Sequence, residues 1–332
     1  MNVNELPIKL FSLLDAYKRQ APDAPCEQSP CMACCQAQSA QVIAQAKRGQ
    51  PLTFVLPAFP AKSPNPRKVL GIVPDEAENQ ALIFLQWLCE EIRKVYPPGA
   101  RTVICSDGRV FGDCVGIPDP HVTEYQRVLA RMLERFPDLS AYNLDDRWPG
   151  LHFDDMRKRL CEQYAEPLEL IRQAIKTDEN EKRLYRGITR FLFEDSRGVL
   201  PLSSTALQAR AREGAYAVIQ RSKAWGSLVA DVFPDAIRLS IHPQRCGAPK
   251  FGIRLGATPD VWLTPWHSVA VLVDGQFRLM KREEAEKHGA TLVLVDGAPS
   301  YLALENISSA PSRAPRTPAA ASLESSRMGS EA

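Results

Sequence analysis

Between Leu52 and Ser106 the chain reads as strand, loop, helix and strand in immediate succession. Leu52 to Leu56 is a short apolar run of the length of a buried strand, and the apolar spacing from Ala81 to Val95 is that of a helix. That helix, taken from Ala77 to Tyr96, stops where Pro97, Pro98 and Gly99 forbid another turn. Arg101 to Ser106 is the next apolar strand. A strand, a helix and a strand of these lengths form the repeating unit of a parallel sheet covered by helices. Ligands in such sheets lie beyond the carboxyl ends of the strands, where two polar loops of this chain begin.

The first loop, LPAFPAKSPNPRKVLGIVPDEAENQ from Leu56 to Gln80, carries Lys62, Arg67 and Lys68 and then the acids Asp75, Glu76 and Glu78. Proline fixes φ and biases its predecessor toward extended geometry, so Pro60, Pro64 and Pro66 hold the cations in place, an arrangement that suits an anionic ligand. A solvated proline-rich linker has the same composition. The second loop, SDGRVFGDCVGI, sets Asp107, Arg109 and Asp113 among glycines that let backbone amides approach a ligand. Neither a GxGxxG fingerprint nor a phosphate-binding loop with its terminal Lys and Ser or Thr occurs, which disfavours a nicotinamide or ATP enzyme.

With 332 residues, 45% of them hydrophobic, the chain can bury a large core. The net charge of +2 comes from basic residues interspersed with acids, as in EKRLYR and KREEAEKH, so no basic tract tracks a nucleic acid. No apolar run approaches the roughly 20 residues of a membrane span, and the N-terminus lacks the features of a secretory signal; a cytoplasmic protein is expected. Of nine cysteines, Cys26, Cys31, Cys34 and Cys35 crowd together. The Cys31 to Cys34 spacing is that of a zinc knuckle, but a structural site takes a second ligand pair from a separate segment and none is evident in the sequence. The expectation is therefore reduced thiols and no metal.

Helices are expected at Ile8–Arg19, at Ala37–Arg48 with Gly49 as cap, and then at Val122–Phe136, Phe153–Lys176, Glu179–Glu194 and Ser204–Trp225, a helical insertion over one side of the sheet. His152 and Asp154 form an HxD triplet that could be part of a non-haem iron triad, but it leads into a helix whose first turn favours acids. The last third returns to strands at Ala236–Ile241, Phe251–Leu255, Ser268–Val273, Gln276–Met280 and Thr291–Val295, with a hairpin at Asp274 and Gly275 and a helix at Arg282–His288. His242, Lys250, Arg254 and His267 fall at strand ends there. The expected division is N-terminal helices and a Cys-rich loop over 1–50, an α/β domain over 51–307 with a mainly parallel, Rossmann-like sheet and a C-terminal strand-rich part, and a disordered Ser/Ala/Pro/Arg tail over 308–332.

PAFPAKSPNPRKVLG with PDEAENQAL, CSDGRVFGDCVGI, IRLSIHPQ, KFGIRL and TPWHSV, in that order between Leu52 and Leu304, resemble the pyoverdine/dityrosine biosynthesis family, the isonitrile synthases that act on aromatic amino acids. The resemblance implies joining of an aromatic L-amino acid, tyrosine or tryptophan, to ribulose 5-phosphate, carbon 2 of the sugar becoming the isonitrile carbon, with no redox cofactor or metal. It also implies a product handed to an iron and 2-oxoglutarate oxygenase. Such a site holds a phosphate, a carboxylate and groups that transfer protons. Arg67 and Lys68, with Asp107, Arg109, Asp113 and Arg254, are the expected substrate-binding residues; Lys62, Glu76, Glu78, His242, Lys250 and His267 are the expected catalytic ones. Two other readings stay open: formation of an N-formyl aromatic amino acid, as in the dityrosine branch, and a zinc-dependent binding module built on the cysteine cluster.

Overall fold

β1 (Leu52–Pro57) pairs in parallel along its whole length with β2 (Ala100–Cys105), from Leu52 opposite Ala100 to Pro57 opposite Cys105. The computed structural model describes residues 3–21, 26, 31–256 and 263–304. β3 (Leu139–Tyr142) extends the sheet beyond β2, while β4 (Ile237–Ser240) and β5 (Phe251–Gly252) extend it on the other side of β1, all in parallel. The order β3-β2-β1-β4-β5 places the first strand in the middle. The chain thus moves outward to one side of β1 and then to the other, and the carboxyl ends of β1 and β4 flank the crevice where such sheets take ligands.

Alternation along the strands sorts side chains onto two faces. Phe54, Leu56, Ile104, Ile237 and Leu239 pack under α1 (Leu6–Asp15), α2 (Gln36–Lys47), α3 (Glu76–Val95) and α5 (Asp119–Leu133). Val55, Val103 and Cys105 pack on the opposite face against α4 (Gly108–Val115), α6 (Leu144–Arg147), α7 (Phe153–Tyr164) and α10 (Ser204–Val232). Trp225 of α10, 1% exposed, stacks on Tyr142 with ring centroids 6.0 Å apart. α8 (Leu168–Thr177) and α9 (Glu179–Ser196) pack on α10 through Ile171, Ile175, Leu192, Ala215 and Ile219 to form the helical insertion.

A second sheet, β7-β6-β9-β8, holds the strand-rich C-terminal part. β6 (Val269–Val273) and β7 (Gln276–Met280) make the expected hairpin, and Asp274 and Gly275 both take positive φ, 50° and 75°, as a two-residue type I′ turn requires. α11 (Arg282–Lys287) leads to β8 (Thr291–Val295), which turns at Asp296 and Gly297 into β9 (Ala298–Leu304). β9 then lies parallel to β6. This small sheet rests on the start of α3, where Ala77 packs with Ala270 and Leu279.

The helix expected over Phe153–Lys176 is two helices, because Pro167 cannot continue α7 and instead opens α8 with φ −52° and ψ 136°. β3, α6 and β9 are absent from the sequence reading. The tail over 308–332, for which disorder is expected, lies outside the described residues.

Candidate active site

The loop that leaves β1 is strained. Phe59 has φ 58° and Ala61 has φ 154°, values at which side chains are disfavoured, and each costs about 1–3 kcal/mol unless the surroundings enforce it. They are enforced. The Ser106 hydroxyl donates to the Phe59 carbonyl at 2.8 Å, and Phe59 packs on Trp266 with ring centroids 5.4 Å apart. The Pro60 carbonyl crosses so close to Gly108 that a Cβ there would stand 1.5 Å from its oxygen. Glycine at 108 therefore serves this crossing, and SDGRVFGDCVGI is mostly the helix α4 rather than the expected glycine loop.

The strained turn delivers Lys62 into the interior. Its side chain is fully buried, with Nζ 2.9 Å from Asp75 and 2.6 Å from Glu78, and donates to the Pro265 carbonyl at 3.2 Å. Burial acts to lower the Lys62 pKa, but the two carboxylates outweigh it and hold the ammonium charged. Glu78, raised by burial, also accepts from the Tyr125 hydroxyl at 3.2 Å, and it closes a capping box with Asp75 at the start of α3. Lys62 and Glu78, expected as catalytic, thus form an enclosed brace joining the β1 loop, α3 and the 263–268 turn. Glu76, also expected as catalytic, accepts from the Asn79 and Gln80 side chains of its own helix.

Further along the loop, Lys68 pairs with Asp195 of α9 and lies 5.8 Å from the centre of the Phe191 ring. His267 Nε2 lies 3.5 Å from the same carboxylate, and its Nδ1 lies 3.0 Å from the Thr264 hydroxyl. Phe191 meets the imidazole edge to face, with centroids 4.9 Å apart. Burial would raise the Asp195 pKa, but His267 and Lys68 hold it below the ordinary carboxylate value. Two expected residues therefore converge on an acid that was missed, since nothing in FLFEDSRG marks Asp195 out. Arg67 is exposed, near the Gly198 turn between α9 and α10.

Asp107 follows β2 and keeps one oxygen, Oδ1, buried without a hydrogen bond. Burial pushes its carboxyl up to about 7. His242 follows β4 and is exposed. The protein around it first, and then the charges of Arg19, Lys250 and His267, push its pKa down to about 4, so it is neutral near pH 7. Lys250 is itself lowered by burial and by Arg238. Arg19, Lys250 and His267 thus act on His242, and Lys68 joins His267 at Asp195, while Asp107 follows the neighbouring strand β2. Groups of these kinds can hold anions and move protons.

Three other expected binding residues have partners within the protein. Arg109, 1% exposed, bonds Asp119 at 3.0 Å and the Thr123 hydroxyl at 2.8 Å and lies 3.8 Å over the Phe153 ring. Asp113 joins Arg221 at 2.5 Å and Arg157 at 3.4 Å, tying α4 to α10 and α7. Arg254 donates to the Ala16 carbonyl at 2.7 Å, satisfying the end of α1. The HxD triplet opens α7: His152 Nδ1 accepts from the Asp154 backbone at 3.4 Å, and Asp154 pairs with Arg157 at 2.9 Å.

A profile of the pyoverdine/dityrosine biosynthesis proteins matches residues 42–293, which spans the whole parallel sheet, the β6–β7 hairpin of the second sheet and every cleft residue named except Arg19. The chain belongs to that family. Among members of the pyoverdine/dityrosine family, it is 46% identical over 328 residues to an L-tyrosine isonitrile synthase of Pseudomonas aeruginosa, covering 95% of this chain and 98% of that one. It is 43% identical over 283 residues to an L-tryptophan isonitrile synthase of Fischerella ambigua, covering 84% and 86%. The crystal structure of the PvcA protein from Pseudomonas aeruginosa superposes with a TM-score of 0.84 at 47% identity, over 90% of this chain and 99% of that chain. The parallel sheet with helical cover and the separate C-terminal sheet are thus the pyoverdine/dityrosine architecture.

Proposed function

We propose that this protein is an isonitrile synthase that converts an aromatic L-amino acid, L-tyrosine first, and ribulose 5-phosphate into the amino-acid isonitrile. The observation that carries the reading is 46% identity, over nearly the whole chain, to an L-tyrosine isonitrile synthase. The cleft chemistry supports it. Amine and sugar ketone condense to an imine, and the later carbon–carbon cleavages need acids and bases on both sides of the former ketone carbon. Asp107, with its raised pKa, suits deprotonation of the substrate ammonium, and neutral His242 suits proton transfer at the sugar. Arg67, Lys68 and Lys250 are the cations for phosphate and carboxylate. An iron and 2-oxoglutarate oxygenase is the class of enzyme that would consume the product, and the free thiols of the chain suit a cytoplasmic reaction. Among the described residues no helix is long and apolar enough to cross a membrane.

The test is incubation of the purified protein with ribulose 5-phosphate carrying carbon-13 at carbon 2 and each aromatic L-amino acid in turn. The expected product has the label in its isonitrile carbon. An N-formyl amino acid would instead assign the dityrosine-type reaction, and no product with any of the three amino acids would overturn the reading.

A further inference from the structure

The cysteines that crowd the N-terminal segment do not act as one set. Cys35 turns into the core, 2% exposed. Cys26, Cys31 and Cys34 are joined instead by Cys246, from the loop between β4 and β5, and the ligand atoms of these four residues all lie within 4.8 Å of one another. Cys26 Sγ is 2.9 Å from Cys34 Sγ, and Cys31 Sγ is 3.7 Å from Cys246 Sγ. Sulfurs on a tetrahedral zinc ion, with zinc–sulfur bonds of about 2.3 Å, stand about 3.8 Å apart, so small movements of these side chains would enclose the ion. No second ligand segment is evident in the sequence because the fourth sulfur comes from the loop between β4 and β5, remote from the other three along the chain.

The surroundings of Cys26 suit a charged thiolate. Lys18 Nζ lies 3.4 Å and Gln20 Nε2 2.8 Å from Cys26 Sγ, and donors of this kind fix and stabilise metal-bound sulfur. The backbone on both sides is ordered by pairing. Arg19 N–H donates to the Gly252 carbonyl at 2.8 Å, Gln244 N–H to the Arg19 carbonyl at 3.0 Å, and Gln38 Nε2 to the Ala248 carbonyl at 3.1 Å. The chain from Tyr17 to Ala21 thus runs beside the segment that carries His242 and Lys250, joined to it by bridges at Lys18–Ile253 and Gln20–Gln244.

We propose that Cys26, Cys31, Cys34 and Cys246 bind one structural zinc ion that clamps the N-terminal segment to the loop between β4 and β5. Four thiolates close the tetrahedron, so no position is left for substrate and the ion takes no part in the chemistry. Its effect is to hold together two segments that are remote in sequence, one of which forms a wall of the cleft.

Elemental analysis of protein purified under reductant, without added metal, is expected to give about one zinc per chain. Cobalt(II) exchanged into the protein should give the absorption of a tetrahedral tetrathiolate. Cys246 is exposed, so Cys246→Ser should keep its circular dichroism while losing zinc and the cobalt spectrum, whereas Cys161→Ser, on α7, should keep both. Protein with neither zinc nor cobalt uptake would overturn the proposal. So would a Cys26–Cys34 disulfide found by mass spectrometry in the protein kept under reductant, or unchanged zinc content in Cys246→Ser.

Discussion

His267 and Asp195 meet 3.5 Å apart, where the helical insertion touches the turn before the second sheet, and the same carboxylate holds Lys68 of the β1 loop. One buried acid therefore positions both the His267 and the Lys68 side chains. Asp195→Asn should keep the fold and lower kcat/KM by roughly 10- to 150-fold, the equivalent of one lost charge-assisted hydrogen bond. The pH dependence follows from its depressed pKa. A carboxyl held below its unfolded value stabilises the fold above about pH 4 and loses that contribution as pH falls through the folded value, so the variant should show a flatter acid limb in urea unfolding.

Asp107 should govern the pH profile. If it takes the proton from the substrate ammonium, kcat/KM rises with pH through a value of about 7, where its carboxyl ionises. Asp107→Asn should remove that limb and leave a low, flat rate. A limb that survives in Asp107→Asn would assign the ionisation to another group.

Lys62 should matter to stability before it matters to rate. Lys62→Ala leaves Asp75 and Glu78 buried without their counter-ion, a loss of about 3–5 kcal/mol measurable by denaturant unfolding. Glu78→Gln, which leaves Asp75 to pair with Lys62, should cost much less. A stable Lys62→Ala protein with abolished turnover would restore Lys62 to the chemistry.

Arg67 is the exposed cation of the β1 loop and the one most easily replaced. If it holds the sugar phosphate, Arg67→Ala should raise KM for ribulose 5-phosphate by roughly 10- to 150-fold and leave that for the amino acid nearly unchanged. Arg67→Lys should recover only part, because an ammonium cannot make the bidentate contact. The reverse asymmetry would place the amino-acid carboxylate there, and two unchanged constants would remove Arg67 from substrate binding.

The sheet was legible where apolar periodicity is local: β1, α3, β2, and the β6–β7 hairpin with its Asp-Gly turn lie close to where the sequence places them. The charged residues were harder to sort, because their meaning depends on what the fold brings opposite them. Arg109 and Lys68 look alike in sequence, yet one is enclosed by Asp119, Thr123 and Phe153 while the other reaches the cleft beside Asp195. Asp195 and Cys246 carry no local signal at all, since their partners lie in distant parts of the chain. α4 was misread because its glycines suggested a ligand loop, whereas Gly108 answers to the Pro60 carbonyl.

That crossing has an evolutionary consequence. With the Pro60 oxygen standing where a side chain at position 108 would begin, the segments 58–62 and 107–110 are interlocked, and a change in either must be matched by the other. Substitutions that reshape the site should therefore be better tolerated outside the crossing, as around 241–250, while random libraries over the interlocked segments should return mostly misfolded chains.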